Sequence, residues 1–79
     1  MIMSDVRKRS IHLHGQKTSI SLEDEFWSAL REISTATGQP VPATTNDIDQ
    51  NRSDGLNLSA ASRLFVLRYF RNGARPSAP

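Results

Sequence analysis

Residues able to meet an anion or a metal gather at the front of this 79-residue chain. Arg7, Lys8 and Arg9 form a basic run, Lys17 follows, and His12 and His14 stand one residue apart. Guanidinium and ammonium groups donate hydrogen bonds to phosphate oxygens, so the run suits an anionic partner. The histidines supply a metal pair at most. With no cysteine in the chain, they fall short of the ligand set of a structural zinc site, and no metal or other cofactor is expected. Glu23, Asp24 and Glu25 are consecutive, which suits the first turn of a helix better than acid/base catalysis. The chain has no cysteine nucleophile, no glycine-rich phosphate loop and no serine–histidine–acid set in a familiar local frame. It reads as non-enzymatic.

A chain this short sits where a single-chain core is marginal, and with neither disulfide nor zinc to help, a second copy is the natural way to complete it. No apolar run approaches the roughly 18 residues that span a bilayer, and no apolar stretch follows the charged N-terminus, so a cytoplasmic protein away from membranes is expected. The formal charge of +2 is unevenly spread. Arg7, Lys8, Arg9 and Lys17 stand against Asp5 at the front, and Arg63, Arg68, Arg71 and Arg75 stand without an acid at the end. Between them lie Glu23, Asp24, Glu25, Glu32, Asp47, Asp49 and Asp54 with only Arg31 and Arg52.

The elements that must position these residues can be read from periodicity. Residues 1–9 lack one and are expected to form a flexible basic arm. From Ser10 to Leu22 the pattern is period two, the mark of a sheet with one wet face. A type II′ turn at Gly15-Gln16 would pair residues 10–14 with 17–21, with His14 facing Lys17, His12 facing Ser19 and Ser10 facing Ser21. Every polar residue then shares one side, and Ile11, Leu13, Thr18 and Ile20 share the other. Phe26, Ala29, Leu30 and Ile33 recur at helical spacing, which predicts a helix over 23–37 stopped by Gly38. Ser21 with Asp24 offers a capping box. Pro42 opens a weaker helix through about Gln50 with Ile48 as its apolar contact. Ser-Asp-Gly at 53–55 marks a turn, and Ser59 is the expected N-cap of a last helix ending near Asn72 before Gly73. That helix is apolar around most of its circumference and needs burial on more than one side. Residues 10–72 thus form the folded domain and 73–79 a disordered tail.

Lys17-Thr-Ser-Ile-Ser-Leu22, then Glu23-Asp-Glu-Phe-Trp-Ser-Ala-Leu-Arg-Glu-Ile33 and Gly38, resembles the strand, first helix and turn of the Arc, MetJ and CopG superfamily of ribbon-helix-helix proteins. Adding Ile48-Asp49 and Asn57-Leu-Ser-Ala-Ala-Ser-Arg-Leu-Phe-Val-Leu-Arg-Tyr69, the pattern is similar to a bacterial family of ribbon-helix-helix domain proteins over residues 9–71. The resemblance implies a mostly helical fold with a short β-ribbon and an intertwined homodimer; the additional C-terminal helix, and an N-terminal hairpin if residues 10–14 pair with 17–21, are read from the residues and depart from the family pattern. It implies a DNA-binding transcription regulator, a repressor, whose antiparallel ribbon enters the major groove; a protein-interaction module such as an antitoxin or adaptor is the alternative. Carried over, Lys17, Ser19 and Ser21 face the groove; the basic run and the spaced histidines add Arg7, Arg9, His12 and His14 as expected DNA contacts on their own chemistry. Ile20, Leu22, Phe26, Trp27, Leu30, Ile33, Leu64 and Leu67 are the expected core of the dimer.

Overall fold

The computed structural model describes residues 5–72 and orders them as two strands followed by three helices: β1 Val6–Leu13, β2 Gln16–Glu23, α1 Asp24–Thr37, α2 Val41–Asn51 and α3 Leu58–Asn72. The first residues of the expected arm and the whole of the expected tail lie outside the described residues.

The strands form an antiparallel hairpin. His14 and Gly15 take up the turn with φ of 53° and 80°. Positive φ at both central positions is the signature of a type I′ turn, whose twist matches that of the strands. The expected II′ turn at Gly15-Gln16 is therefore corrected by one residue. The pairs are Leu13↔Gln16, His12↔Lys17, Ser10↔Ser19 and Lys8↔Ser21 rather than those predicted. His14 accepts the left-handed conformation because α2 holds it. Its backbone N–H donates to Asn46 Oδ1 at 2.9 Å and its ring Nε2 lies 2.9 Å from Asp49 Oδ2. The change moves each strand by one residue, so the sum of paired positions shifts by two and every side chain that remains in the strands keeps its predicted face, while His14 passes from the polar face into the turn.

The first strand also begins earlier than expected. Val6 to Arg9 pair with Glu23 to Ile20, so Arg7, Lys8 and Arg9 belong to β1 and not to an arm. Arg7 and Arg9 stand on the inner face, where alternation calls for apolar residues. Arg9 is tolerated there because its guanidinium bonds Asp24 and sits 5.1 Å from the centre of the Trp27 ring. A long apolar stem with a paired, ring-stacked head can line a core margin.

Ile11, Ile20 and Leu22 bring the inner face of the hairpin against Leu30 and Ile33 of α1, Ile48 of α2, and Ala61 and Val66 of α3. Gly38, at φ 74°, closes α1 with its N–H bonded to the Thr35 carbonyl. The connection is short, and Ser34 Oγ donates to Thr44 Oγ1 at 2.9 Å across the α1–α2 junction. Thr45 is fully buried, with its hydroxyl returned to the Val41 and Pro42 carbonyls. Ser34, Thr44 and Thr45 thereby occupy the core with their hydroxyls hydrogen-bonded.

Two helix starts differ from expectation. The Ser21–Asp24 capping box does not form: Ser21 lies within β2 and Glu23 is the N-cap of α1 with no side-chain bond, while Asp24 pairs with Arg9 and Arg7. At α3 the Asn57 side chain caps the Ala60 N–H at 2.8 Å, while the Ser59 hydroxyl is taken by the Ser21 N–H at 3.0 Å. Of the expected dimer core, Ile20, Leu22, Leu30 and Ile33 are buried within one chain, and Phe26, Trp27 and Leu64 are half-buried. Leu67 is 47% exposed in the single chain, because α3 turns Ala61, Ser62 and Val66 inward.

Candidate nucleic-acid interface

Period two gives the hairpin an outer face made of even positions on β1 and odd positions on β2. Lys8, Ser10 and His12 stand opposite Ser21, Ser19 and Lys17 in turn. All are exposed except Ser21, which is half-buried. Among the described residues neither Lys8 nor Lys17 forms an ion pair, whereas Arg7, Arg9, Arg52 and Arg63 all do. The acid on this face is Glu23 at its far end, and Arg63 holds it at 2.9 Å. Glu23's own backbone N–H, followed by the Arg63 guanidinium, holds its carboxyl below the usual carboxylate range, so it stays ionised and engaged.

This surface offers ammonium donors, hydroxyls able to donate or accept, and an imidazole, arrayed on a strip only two strands wide. Neighbouring strands lie about 4.8 Å apart, and a B-DNA major groove about 12 Å wide admits a two-stranded ribbon. The hairpin is such a ribbon, and one chain builds all of it.

The residues singled out in the sequence separate into distinct places. Lys17, Ser19 and His12 share the outer face. Ser21 is tied at its backbone, with its N–H given to Ser59 Oγ and its carbonyl accepting from Arg63 Nη2 at 3.3 Å, so α3 closes the β2 edge there. Arg7, 3.6 Å from Asp24, and Arg9 lie on the inner face. His14 belongs to another cluster at the turn. There Asp49 Oδ1 accepts from Arg52 Nε at 2.7 Å while its other oxygen meets His14. The His14 ring first, and Arg52 second, hold the Asp49 carboxyl below its ordinary range. Lys8, read from the sequence as one of a basic run in an arm, and Ser10, read as part of the polar side, both stand on this outer face. The signal that Lys8 belongs to the strand was the alternation Lys8-Ser10-His12, obscured by arginines at positions 7 and 9.

The start of α2 is poor in donors. Pro40 is its N-cap with no side-chain bond, and Pro42 lies in the first turn, which removes N–H groups that a helix start otherwise turns toward phosphate. Among the described residues no group of three or more His, Cys, Asp or Glu side chains is placed to hold a metal ion, and no helix is long and apolar enough to cross a membrane.

The profile of the ribbon-helix-helix domain family matches the chain over residues 6–70, taking in the hairpin, α1, α2 and nearly all of α3. No curated protein and no solved structure matches it.

Proposed function

The chain belongs to the ribbon-helix-helix domain family, and from that premise we propose that it is a homodimeric, sequence-specific DNA-binding regulator of transcription, working in the bacterial cytoplasm as a repressor. The single observation that carries the reading is the outer face of the hairpin, where Lys8, Ser10, His12, Lys17 and Ser19 are exposed and the lysines are unpaired among the described residues. Lys17 and Ser19 meet base edges, lysine at guanine acceptors and serine at either partner of a pair, with Ser10 and His12 beside them. Lys8, nearer the open end of the hairpin, meets phosphate.

Selection of binding sites from a random DNA pool with the purified full chain tests this. The expected result is a palindromic motif, since a two-fold dimer reads a two-fold site. Lys8→Ala then weakens binding to every sequence and makes the logarithmic salt dependence shallower by about one unit per lost phosphate contact. A pool that yields no motif, with attachment erased by salt, would sink the repressor reading and assign the polar face to a protein partner, as in an antitoxin or adaptor.

A further inference from the structure

The turn that joins the two strands is built from an uncommon choice of residue. A type I′ turn needs positive φ at both central positions, and Asn-Gly meets that need most easily. Here His14 takes φ 53° ahead of Gly15 at 80°, so an imidazole stands where Asn would sit with less strain. What offsets the strain lies on α2. Asn46 Oδ1 accepts from the His14 backbone N–H and Asp49 Oδ2 meets the ring Nε2, each at 2.9 Å. An ionised carboxylate only accepts, so Nε2 is the donor whether the ring is neutral or charged.

Asp49 is held in turn. Arg52 Nε donates to its other oxygen at 2.7 Å, and Arg52 Nη1 donates to the Leu56 carbonyl in the connection to α3. The tip of the hairpin is thus tied to α2 and, through Arg52, to the segment that follows it. The other end of β2 is fixed separately, by Ser59 and Arg63 of α3 at Ser21.

Lys17, opposite His12, belongs to the outer-face pair nearest the turn. Strands rise about 3.3 Å per residue, so this pair lies within about 7 Å of His14 along the ribbon. A lone two-stranded ribbon is marginal and twists readily. Side chains that read bases need placement to about 0.5 Å, which a free tip does not provide. Held at both ends, the ribbon presents Lys17 in one place before any ligand arrives, and the ordering cost of binding falls.

We propose that His14, clamped by Asn46 and Asp49, is a positioning residue of the reading face: without touching DNA, it fixes where Lys17 stands and so sets specificity at the base pair Lys17 meets. The proposal rests on the DNA-binding reading above, and its first test is made without DNA.

Nitrogen-15 relaxation of the full chain shows residues 13–17 of the wild type as rigid as the strands. His14→Asn keeps the favoured turn pair but is too short to reach Asp49. Asn46→Ala leaves the hairpin sequence intact and removes the other bond. Both variants fold, and both gain motion confined to the tip. On the selected DNA site, each loses about fivefold or more in discrimination at the base pair read by Lys17, while affinity for non-specific DNA stays within about twofold of the wild type. Added to Lys17→Ala, His14→Asn causes no further loss, because it acts through that side chain. A tip as rigid in both variants as in the wild type overturns the proposal, as do loosened variants that discriminate normally. So does a loss in His14→Asn that adds in full to that of Lys17→Ala or extends equally to non-specific DNA, since His14 would then be a direct contact. A wild type that selects no site ends the functional reading instead, and the relaxation result alone then decides whether α2 fixes the tip.

Discussion

The two faces of the hairpin carry basic residues of the same charge and give them opposite employment. On the inner face Arg9 is bound to Asp24 and stacked on Trp27, and Arg7 leans on the same carboxylate. On the outer face Lys8 and Lys17 have no partner among the described residues. Adjacent positions in a strand point to opposite sides, so position in the two-residue period, and not charge, separates structural cations from those available to a ligand. Inner-face changes should therefore alter stability, and outer-face changes should alter binding.

The sharpest contrast lies between neighbours on β2. Ile20 is 1% exposed and Ser19 is open to solvent. Ile20→Ala should cost about 2 to 5 kcal/mol in denaturant titration, the usual range for truncating a buried aliphatic, and Leu30→Ala on α1 a similar amount. Ser19→Ala should change stability by less than about 0.5 kcal/mol. Equal costs at the two positions would erase the distinction between the faces.

Arg9→Ala comes next. It removes the partner of Asp24 and the cover of Trp27, and a cost of about 1 to 2 kcal/mol is expected. Arg7→Ala, at a side chain 66% exposed, should cost far less. Thermal melts of both variants compare them directly.

How much of this was legible in the sequence turned on whether an assignment depended on local pattern or on a distant partner. The helix over 24–37 with its Gly38 stop followed from spacing and one glycine. The polar face survived a misplaced turn because period-two logic is indifferent to a shift of two. By contrast, Arg7 and Arg9 looked like an arm because their inner-face sites depend on Asp24 and Trp27, far along the chain. Ser59 carried the chemistry of an N-cap, yet Ser21, remote in sequence, claimed its hydroxyl and left the cap to Asn57. On α3 an all-round apolar helix does not announce which side its own chain will cover, and here that side is Ala61, Ser62 and Val66 rather than Leu67.

The turn cluster bears on the comparison through acid. Asp49 has its carboxyl pKa lowered in the folded chain by His14 and then Arg52, so its stabilising contribution is fully present above the ordinary aspartate range, near about 4. It is lost as the pH falls through the lowered folded value. Denaturant midpoints measured from pH 6 downward should fall more steeply in the wild type than in Asp49→Asn below about pH 4. Parallel curves would show that this cluster does not anchor the turn to α2.

The smallest effect is expected at Ser62, fully buried on α3 with a hydroxyl that has no hydrogen-bond partner. Ser62→Ala should leave stability unchanged or raise it by up to about 1 kcal/mol, because no bond is lost and an unmet polar group is removed. A clear loss in calorimetry would mean that the hydroxyl is satisfied in solution.

The most direct measurement sets Lys17→Ala against Arg9→Ala, both checked to be folded, on the selected DNA site and on one differing by a single base pair in each half. Lys17→Ala should keep the stability of the wild type and lose about 1 to 3 kcal/mol of discrimination at one half-site position. Arg9→Ala should melt earlier, yet discriminate as the wild type does once corrected for the folded fraction. Undiminished discrimination in Lys17→Ala, or an equal loss in Arg9→Ala, would contradict the division of the hairpin into a structural face and a reading face.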